Sequence, residues 1–471
     1  MEFDFVFIIL GFLLVSLGIT YLIKRFTKHD TYYLFSIIKS VKPLSFFDKV
    51  AKHTRFLDIF ATIGVIIGFG AIAVDFLYGR KLSKVKRAVL FIASFLAMSS
   101  IIVFFDSSFG NIFSNSILIG SAYPLLVVSF GLMGLSGFTL FSLMLQAWEI
   151  ISKYMLGIRS CPGIAPIIPG LEIPGVPISP PLHAWISLII GLFVHEGMHG
   201  ILGRRHDFKI KSTGLILLGF LPVGGFVEPD EKAVIKGEDE KVLPFLAAGP
   251  MANLAVMFIT GLLLFGVAAF VNPLTDSLYP GVQENLFSGV KVNSVLEETS
   301  FCGVIYPSSA LGNLESEDII TEINGVSINN PDDLYSEIQK NRLEEKTFSI
   351  NRNNELIDLT LQPNELGQYG FFPEGIRNEG FEVPESYFTY SLIISLILEF
   401  LLWLFLLNFL LGAMNFLPTI PLDGGRMAGI LFVPYLGFLN KSKEEKQKII
   451  TKFFGFLILG LIIINALPLF F

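Results

Sequence analysis

Long apolar stretches recur along this chain of 471 residues, and they limit the folds that it can adopt. A helix needs about 20 apolar residues to cross the hydrocarbon core of a bilayer. We therefore predict a polytopic α-helical membrane protein with about eight transmembrane helices. The predicted spans are residues 5–23, 56–78, 88–105, 117–147, 182–202, 242–271, 391–414 and 453–471, and the fourth is long enough to contain a kink at Pro124 or a break within 131–137.

The composition supports this class and excludes another. Hydrophobic residues make up 52% of the chain and charged residues only 16%, whereas soluble domains carry about a quarter charged residues. The net charge of −7 gives no electrostatic basis for binding nucleic acid. We expect the lipid bilayer to be the main surroundings of the chain and expect no nucleic-acid partner.

A short motif places ionisable side chains inside one of the predicted spans. His195, Glu196 and His199 form H-E-x-x-H within residues 182–202. Histidines at i and i+4 share one face of a helix, which suits a zinc ion, and the Glu between them can act as general base. Ionisable groups at membrane depth are costly and usually functional. The motif therefore predicts metal-assisted hydrolysis within a bilayer.

A hydrolytic zinc site needs a third protein ligand as well as an open position. Asp423 follows an apolar run that Pro418 and Pro421 interrupt, so its carboxylate can face a cavity instead of lipid. The alternative is an ordinary Asp-Gly-Gly turn after a span. His183 and His206 flank the motif span and are interpreted as interface or loop residues. We predict one catalytic zinc ion bound by Asp423 and the two motif histidines.

The polar segments divide the chain into five parts. A Pro/Gly-rich loop at 158–181 cannot form regular helix, and a polar stretch at 282–365 alternates apolar runs with Asn/Gly turns, as a small α+β domain does. The predicted parts are an N-terminal membrane region of about four spans (1–157), the loop (158–181), the first half of a membrane core (182–281), the inserted soluble domain (282–365) and the second half of the core (366–471).

The distribution of Lys and Arg predicts the orientation of the spans. Basic residues after the motif span and before the last span place both of those ends in the cytoplasm, so the loop and the insert lie outside. The basic stretch 80–87 conflicts with eight simple spans. Either one N-terminal segment is re-entrant or residues 117–147 cross twice. For Cys161 and Cys302, two free thiols is the favoured interpretation and a single bridge is the alternative.

Several motifs occur in the order found in one protein family. Between residues 182 and 471 the chain resembles the site-2 proteases, which are intramembrane zinc metalloproteases of peptidase family M50. The four N-terminal spans exceed the minimal core of that family, so the resemblance implies no role for them. The matching elements are the H-E-x-x-H motif, a Gly-containing hairpin at 219–227, G-P-x-x-N at Gly249, Pro250 and Asn253, and N-x-x-P…L-D-G at Asn415, Pro418, Leu422, Asp423 and Gly424.

The resemblance implies a zinc metalloendopeptidase that cleaves transmembrane segments of membrane-protein substrates. It implies that His195, His199 and Asp423 bind zinc, that Glu196 is the base, and that Asn415 holds the substrate or the developing oxyanion. A helical substrate must unwind before attack, because its carbonyls are hydrogen-bonded within the helix. The hairpin edge at 224–227 could then hold the extended segment as an added strand; an ordinary Gly-rich turn is the alternative.

The insert resembles a PDZ domain, which the family often carries outside the membrane. PDZ folds bind extended peptides by strand addition, while the alternative is a packing or size-filtering domain that binds no peptide. The expected location is the cell membrane, with the PDZ-like domain extracytoplasmic. Two other functions stay open: an inactive membrane scaffold that binds peptides through the insert, which the intact Glu196 disfavours, and a metal transporter, for which inverted repeats are expected and none is evident.

Overall fold

A computed structural model describes residues 2–27, 29–108, 122–173, 176, 178–219, 221–302 and 304–470. Parts of five predicted segments lie outside the described residues: 117–121 of the fourth span, 174, 175 and 177 of the Pro/Gly-rich loop, Phe220 of the hairpin, Gly303 of the insert and Phe471 of the last span. The helices are α1 (Glu2–Phe26), α2 (Leu44–Val50), α3 (Thr54–Leu77), α4 (Lys84–Ser108), α5 (Tyr123–Met155), α6 (Ala184–Arg205), α7 (Glu231–Ile235), α8 (Asp239–Leu278), α9 (Val282–Asn285), α10 (Pro331–Gln339), α11 (Glu385–Asn415), α12 (Asp423–Leu431) and α13 (Lys443–Ala466).

The strands form two larger sheets and one separate hairpin. One sheet has the order β1-β2-β3-β4, the other has the order β11-β10-β8-β5-β12 with β9 paired to β8, and β6 pairs with β7. Their bounds are β1 (Asp30–Tyr32), β2 (Phe35–Ser40), β3 (Ile210–Leu218), β4 (Leu221–Pro229), β5 (Phe287–Val295), β6 (Glu298–Phe301), β7 (Val304–Pro307), β8 (Ile319–Ile323), β9 (Val326–Ser327), β10 (Lys346–Arg352), β11 (Glu355–Leu361) and β12 (Phe371–Arg377).

The membrane part is a bundle of long apolar helices. Among the described residues, seven helices are long and apolar enough to cross a membrane, namely α3, α4, α5, α6, α8, α11 and α13. Each covers all or most of one predicted span, and α1 covers the first predicted stretch, 5–23. The chain is therefore a polytopic helical membrane protein, as its hydropathy predicts.

Two of these helices break where they touch each other. The predicted break in α5 occurs at Gly134 (φ 55°, ψ −142°), and α3 has an unpredicted break at Gly70 (φ 53°, ψ −138°). A Cβ at Gly134 would lie 2.1 Å from the carbonyl oxygen of Ile67, and one at Gly70 would lie 2.7 Å from that of Gly131. Glycine is required at both positions, because side chains rarely adopt this backbone region and because neither position leaves room for a Cβ.

Both ends of α3 lie beside the same face of the core. Near its start, Asp58 accepts a hydrogen bond from Arg205, which ends α6, at 2.7 Å. Just beyond its end, Lys81 pairs with Glu240, in the first turn of α8, at 2.9 Å. This arrangement agrees with the alternative in which one N-terminal segment is re-entrant, and it places the basic stretch 80–87 beside the other basic ends.

The N-terminal region completes the sheet of the predicted hairpin. Strands β3 and β4 form that hairpin, and β2 pairs antiparallel with β3, for example Ile37 with Ile216. Among the described residues no strand pairs with the outer edge of β4. Nearby, the ring of Phe47 in α2 packs against Gly200 of α6. The N-terminal region is thus built into the core, which the sequence did not predict.

The insert is a small α+β domain with its own core. Val290, Ile320 and Phe348 are fully buried in it, and α10 contributes Leu334 to the same cluster. Asn353 and Asn354 form the turn between β10 and β11. Strand β12 pairs with β5 although it lies beyond residue 365, so the predicted boundary of the insert falls too early for its sheet. The prediction ended the insert too early because a loop separates β12 from β11, and because β12 pairs with β5, which is distant in sequence.

A disulfide joins the Pro/Gly-rich loop to the insert. Cys161 and Cys302 are bonded, with 4.8 Å between their Cα atoms and 141 residues between them in sequence. The favoured interpretation of two free thiols is therefore wrong. The loop begins after α5, which ends at Met155, and it lies beside the β6–β7 hairpin. This proximity depends on tertiary structure, which the spacing of the cysteines does not reveal.

Candidate metal centre and active site

Three predicted ligands converge from two separate parts of the chain. The Nε2 atoms of His195 and His199, one turn apart on α6, lie 3.2 Å from each other. Oδ2 of Asp423, the first residue of α12, lies 3.3 Å from Nε2 of His195 and 3.1 Å from that of His199. Both histidines are only 7% exposed. The fold therefore brings together side chains that are 224 residues apart.

Hydrogen bonds on the far sides of the imidazoles determine where their protons lie. Nδ1 of His195 is 2.6 Å from Oδ1 of Asn253, and Nδ1 of His199 is 2.9 Å from the carbonyl oxygen of Phe245. Both partners are acceptors in this arrangement, so both Nδ1 atoms carry hydrogen. In a neutral imidazole protonated at Nδ1, the lone pair lies on Nε2, the atom beside Asp423, where it can bind a metal.

This cluster of lone pairs matches a metal site. The three ligand atoms lie within 4.8 Å of one another, and among the described residues this is the one group of at least three His, Cys, Asp or Glu that could hold a metal ion. A tetrahedral zinc ion with bonds of about 2.0–2.1 Å separates its ligands by roughly 3.3 Å. The observed separations of 3.1–3.3 Å are close to that value. Two neutral imidazoles and a carboxylate are also a donor set that zinc accepts.

A tight turn after α11 carries Asp423 to the histidines. A Cβ at Gly424 would lie 2.2 Å from the carbonyl oxygen of Phe416, so only glycine allows the turn to close in this way. The ring of Phe416 is fully buried and packs against Gly68 of α3. The N-terminal region therefore supports the segment that positions the carboxylate of Asp423.

The G-P-x-x-N motif on α8 lies directly against the cluster. A Cβ at Gly249 would lie 2.5 Å from Nε2 of His199 and 2.6 Å from Nε2 of His195. Asn253, four residues later on the same helix, accepts the hydrogen bond from His195. The sequence matched this motif to a family but assigned it no role. The structure places it behind and beside the predicted metal ligands.

A cavity of 790 Å³ opens over the cluster. Glu196 lines it together with the three ligands, and its side chain faces β4, since a Cβ at Gly225 would lie 2.9 Å from Cγ of Glu196. Asn415 lines the same cavity and donates to the carbonyl oxygen of Leu411 at 2.9 Å. All five predicted site residues thus border one space; their roles stay predictions.

A buried His–His–Asp cluster, with both histidines on an apolar helix long enough to span a membrane and a carboxylate beside it in an open cavity, is the arrangement expected of a membrane-embedded metalloprotease. Residues 183–462 match the family described as Peptidase family M50. This match covers more than half of the chain, and the chain belongs to that family.

The chain is similar to three curated proteins, two of which are named zinc metalloproteases. It is 31% identical over 270 residues to the uncharacterized protein MJ0971 of Methanocaldococcus jannaschii, covering 57% of this chain and 60% of that protein. It is 27% identical over 284 residues to the zinc metalloprotease RasP of Shouchella clausii, covering 50% and 64%. The zinc metalloprotease RasP of Oceanobacillus iheyensis is 24% identical over 312 residues, covering 50% and 70%. The chain spans less than two thirds of the first two relatives.

Proposed function

We propose that this metalloprotease hydrolyses peptide bonds within transmembrane segments of other membrane proteins. The observation that carries the proposal is the shared cavity, in which the His195–His199–Asp423 cluster and Glu196 lie together, with both histidines on a helix long and apolar enough to span a membrane. Neither the inactive scaffold nor the metal transporter is favoured, because the family and the site both point to hydrolysis.

Each residue that borders the cavity has a separate role in the proposed reaction. His195, His199 and Asp423 would hold one zinc ion, which would supply polarisation of a carbonyl and a water whose pKa is lowered to about 7. Glu196 takes a proton from the attacking water and returns it to the leaving amine. Asn415, at the wall of the cavity, holds the substrate or the developing oxyanion. His195 and His199 are buried, so the cavity is the route by which water would reach them.

The free edge of β4 provides a place for an unwound substrate. Strand β2 covers the far edge of β3, whereas the outer edge of β4 has no partner among the described strands. The same strand passes beside Glu196 at Gly225. An extended segment added to β4 would therefore present its peptide groups to the base, with main-chain hydrogen bonds supplying the binding energy.

Replacing Gly225 by valine tests the closeness of β4 to the base. Its Cβ would lie 2.9 Å from Cγ of Glu196, so the Glu196 side chain must shift. A misplacement of about 1 Å costs roughly 100-fold in rate, and we expect a loss of that size in kcat with unchanged zinc content. Gly224→Val is the matched control, because a Cβ there meets only Ile216, at 3.5 Å. Equal kcat values for both variants would contradict the arrangement.

The insert gives the proposal a second part. We infer that it lies outside the cytoplasm of a cell membrane, because disulfides such as Cys161–Cys302 form mainly in oxidising compartments. As a PDZ-like domain it would bind an extended peptide of the substrate, or it would act by packing and size alone. The five predicted parts of the chain then correspond to an accessory region, a tethered loop, two core halves and this domain.

The metal content of the purified protein tests the proposed function. We expect one zinc ion per chain, cleavage of a single-span model substrate in liposomes, loss of cleavage after chelation, and recovery on adding zinc back. A chain without bound zinc, or one that cleaves equally well after complete removal of the metal, would overturn the proposal.

A further inference from the structure

A line of buried amide groups crosses three helices behind His195. Asn253 on α8 accepts the hydrogen bond from His195 and donates through Nδ2 to Oδ1 of Asn408 on α11 at 2.9 Å. It also donates to the carbonyl oxygen of Gly191 on α6 at 2.9 Å. Asn408 in turn donates to the carbonyl oxygen of Leu404 at 2.8 Å. Both asparagines are 0% exposed.

Two backbone carbonyls, those of Leu404 and Gly191, fix the direction of the bonds in this line. The carbonyl of Leu404 can only accept, so Asn408 points its NH₂ group there and its oxygen toward Asn253. Asn253 then points its NH₂ group at Asn408 and its oxygen at His195. Turning Asn253 over would set its oxygen against two acceptors, Gly191 and Asn408.

We propose that Asn408 is a positioning residue for the metal centre, acting through Asn253. Its oxygen helps to hold the Asn253 amide in the orientation that accepts a proton from Nδ1 of His195. That bond leaves the lone pair of His195 on Nε2, where the metal is bound. The inference rests on the proposed zinc site and adds to it a residue that does not touch any ligand.

Loss of the Asn408 oxygen has a defined chemical consequence. Only the bond to the carbonyl of Gly191 would then fix the orientation of the Asn253 amide. If that amide rotated by 180°, it would offer an N–H group to Nδ1 of His195. His195 would then carry its proton on Nε2 and could not bind the metal. Partners of ligating histidines contribute about 10–100-fold in metal affinity, and we expect Asn408 to act near the lower limit, about tenfold.

A double-mutant cycle on zinc affinity tests the proposal. The full chain in detergent is titrated with zinc against a competing chromophoric chelator, as wild type, Asn408→Leu, Asn253→Leu and the double variant. We expect about tenfold weaker zinc binding for Asn408→Leu and at least that loss for Asn253→Leu. The double variant should bind no more weakly than Asn253→Leu, because Asn408 acts only through Asn253.

Asn465→Leu is the matched control. Asn465 on α13 is also 0% exposed and donates to the carbonyl oxygens of Leu143 and Leu461, away from the metal centre. Its replacement should lower thermal stability without changing zinc affinity. The proposal fails if Asn408→Leu leaves affinity unchanged, or if it lowers affinity by the same factor with and without Asn253. Wild type that binds no zinc would refute the proposed function itself.

Two gentler substitutions keep the test decisive if Asn408→Leu does not fold. Asn408→Thr can still bond to the carbonyl of its own helix but is too short to reach Asn253, so it should show the same tenfold loss. Asn408→Asp keeps an oxygen at the same position that can accept the N–H of Asn253, which is the bond that the proposal depends on. We expect wild-type affinity from Asn408→Asp, and a tenfold loss in that variant would contradict the proposal.

Discussion

Glu196→Gln is expected to lower the rate of substrate cleavage by about 10²–10⁴-fold while zinc remains bound. Glutamine keeps the size of the side chain but cannot take a proton from the attacking water. Glu196 is not one of the three side chains that converge as ligands, so the metal site should stay intact. The measurement is single-turnover cleavage of a single-span substrate in liposomes, with zinc content determined on the same sample.

A second carboxylate in the same cavity provides the control for this prediction. Glu231 lines the cavity but lies at the start of α7, outside the H-E-x-x-H motif. Glu231→Gln removes the same charge from the same space and should cleave at close to the wild-type rate. Persistent cleavage by Glu196→Gln with zinc in place would show that another group is the base.

Gly249→Ala should weaken zinc binding by about 100-fold or more, the upper end of the effect of groups around metal ligands. The added methyl carbon would lie 2.5 and 2.6 Å from the two Nε2 atoms, nearly as close as a bound zinc ion. The close-packed helices leave no room for a shift, so the imidazoles must move apart or the metal must leave. Competition with a chelator measures the change in affinity.

The same helix supplies a neutral comparison for this substitution. A Cβ at Gly266, also on α8, would meet no atom within 4 Å, so Gly266→Ala should bind zinc like wild type. If Gly249→Ala retained wild-type zinc affinity and wild-type cleavage, the backbone of α8 could not lie where the structure has it, and the described geometry of the centre would be wrong.

The sequence predicts the parts of this molecule that depend on local pattern. Hydropathy over about 20 residues locates the spans, because each span must be apolar along its own length. The helical repeat brings His195 and His199 to one face without any tertiary information. The prolines before Asp423 mark an interrupted helix, and this local signal identified a side chain that the structure places beside both histidines.

The features that the sequence did not predict all depend on contacts between distant segments. The pairing of β2 with β3, the Cys161–Cys302 bond and the addition of β12 to the insert are each long-range. The break at Gly70 is set by its contact with Gly131 and Gly134 on another helix. Asn408 belongs to no sequence motif, and its proposed positioning role can be inferred only from its hydrogen bond to Asn253.

Strand β3 is synthesised long after its partner β2, and this delay has a consequence for biosynthesis. Strand β2 precedes β3 by about 170 residues. A ribosome that adds about 5–20 residues per second makes β2 roughly 10–30 s before its neighbour exists. During that interval the nascent chain carries an open strand edge, the kind of surface on which wrong pairing and aggregation begin. We therefore expect the yield of folded protein to depend on shielding of that edge during translation, separately from anything that the finished form needs.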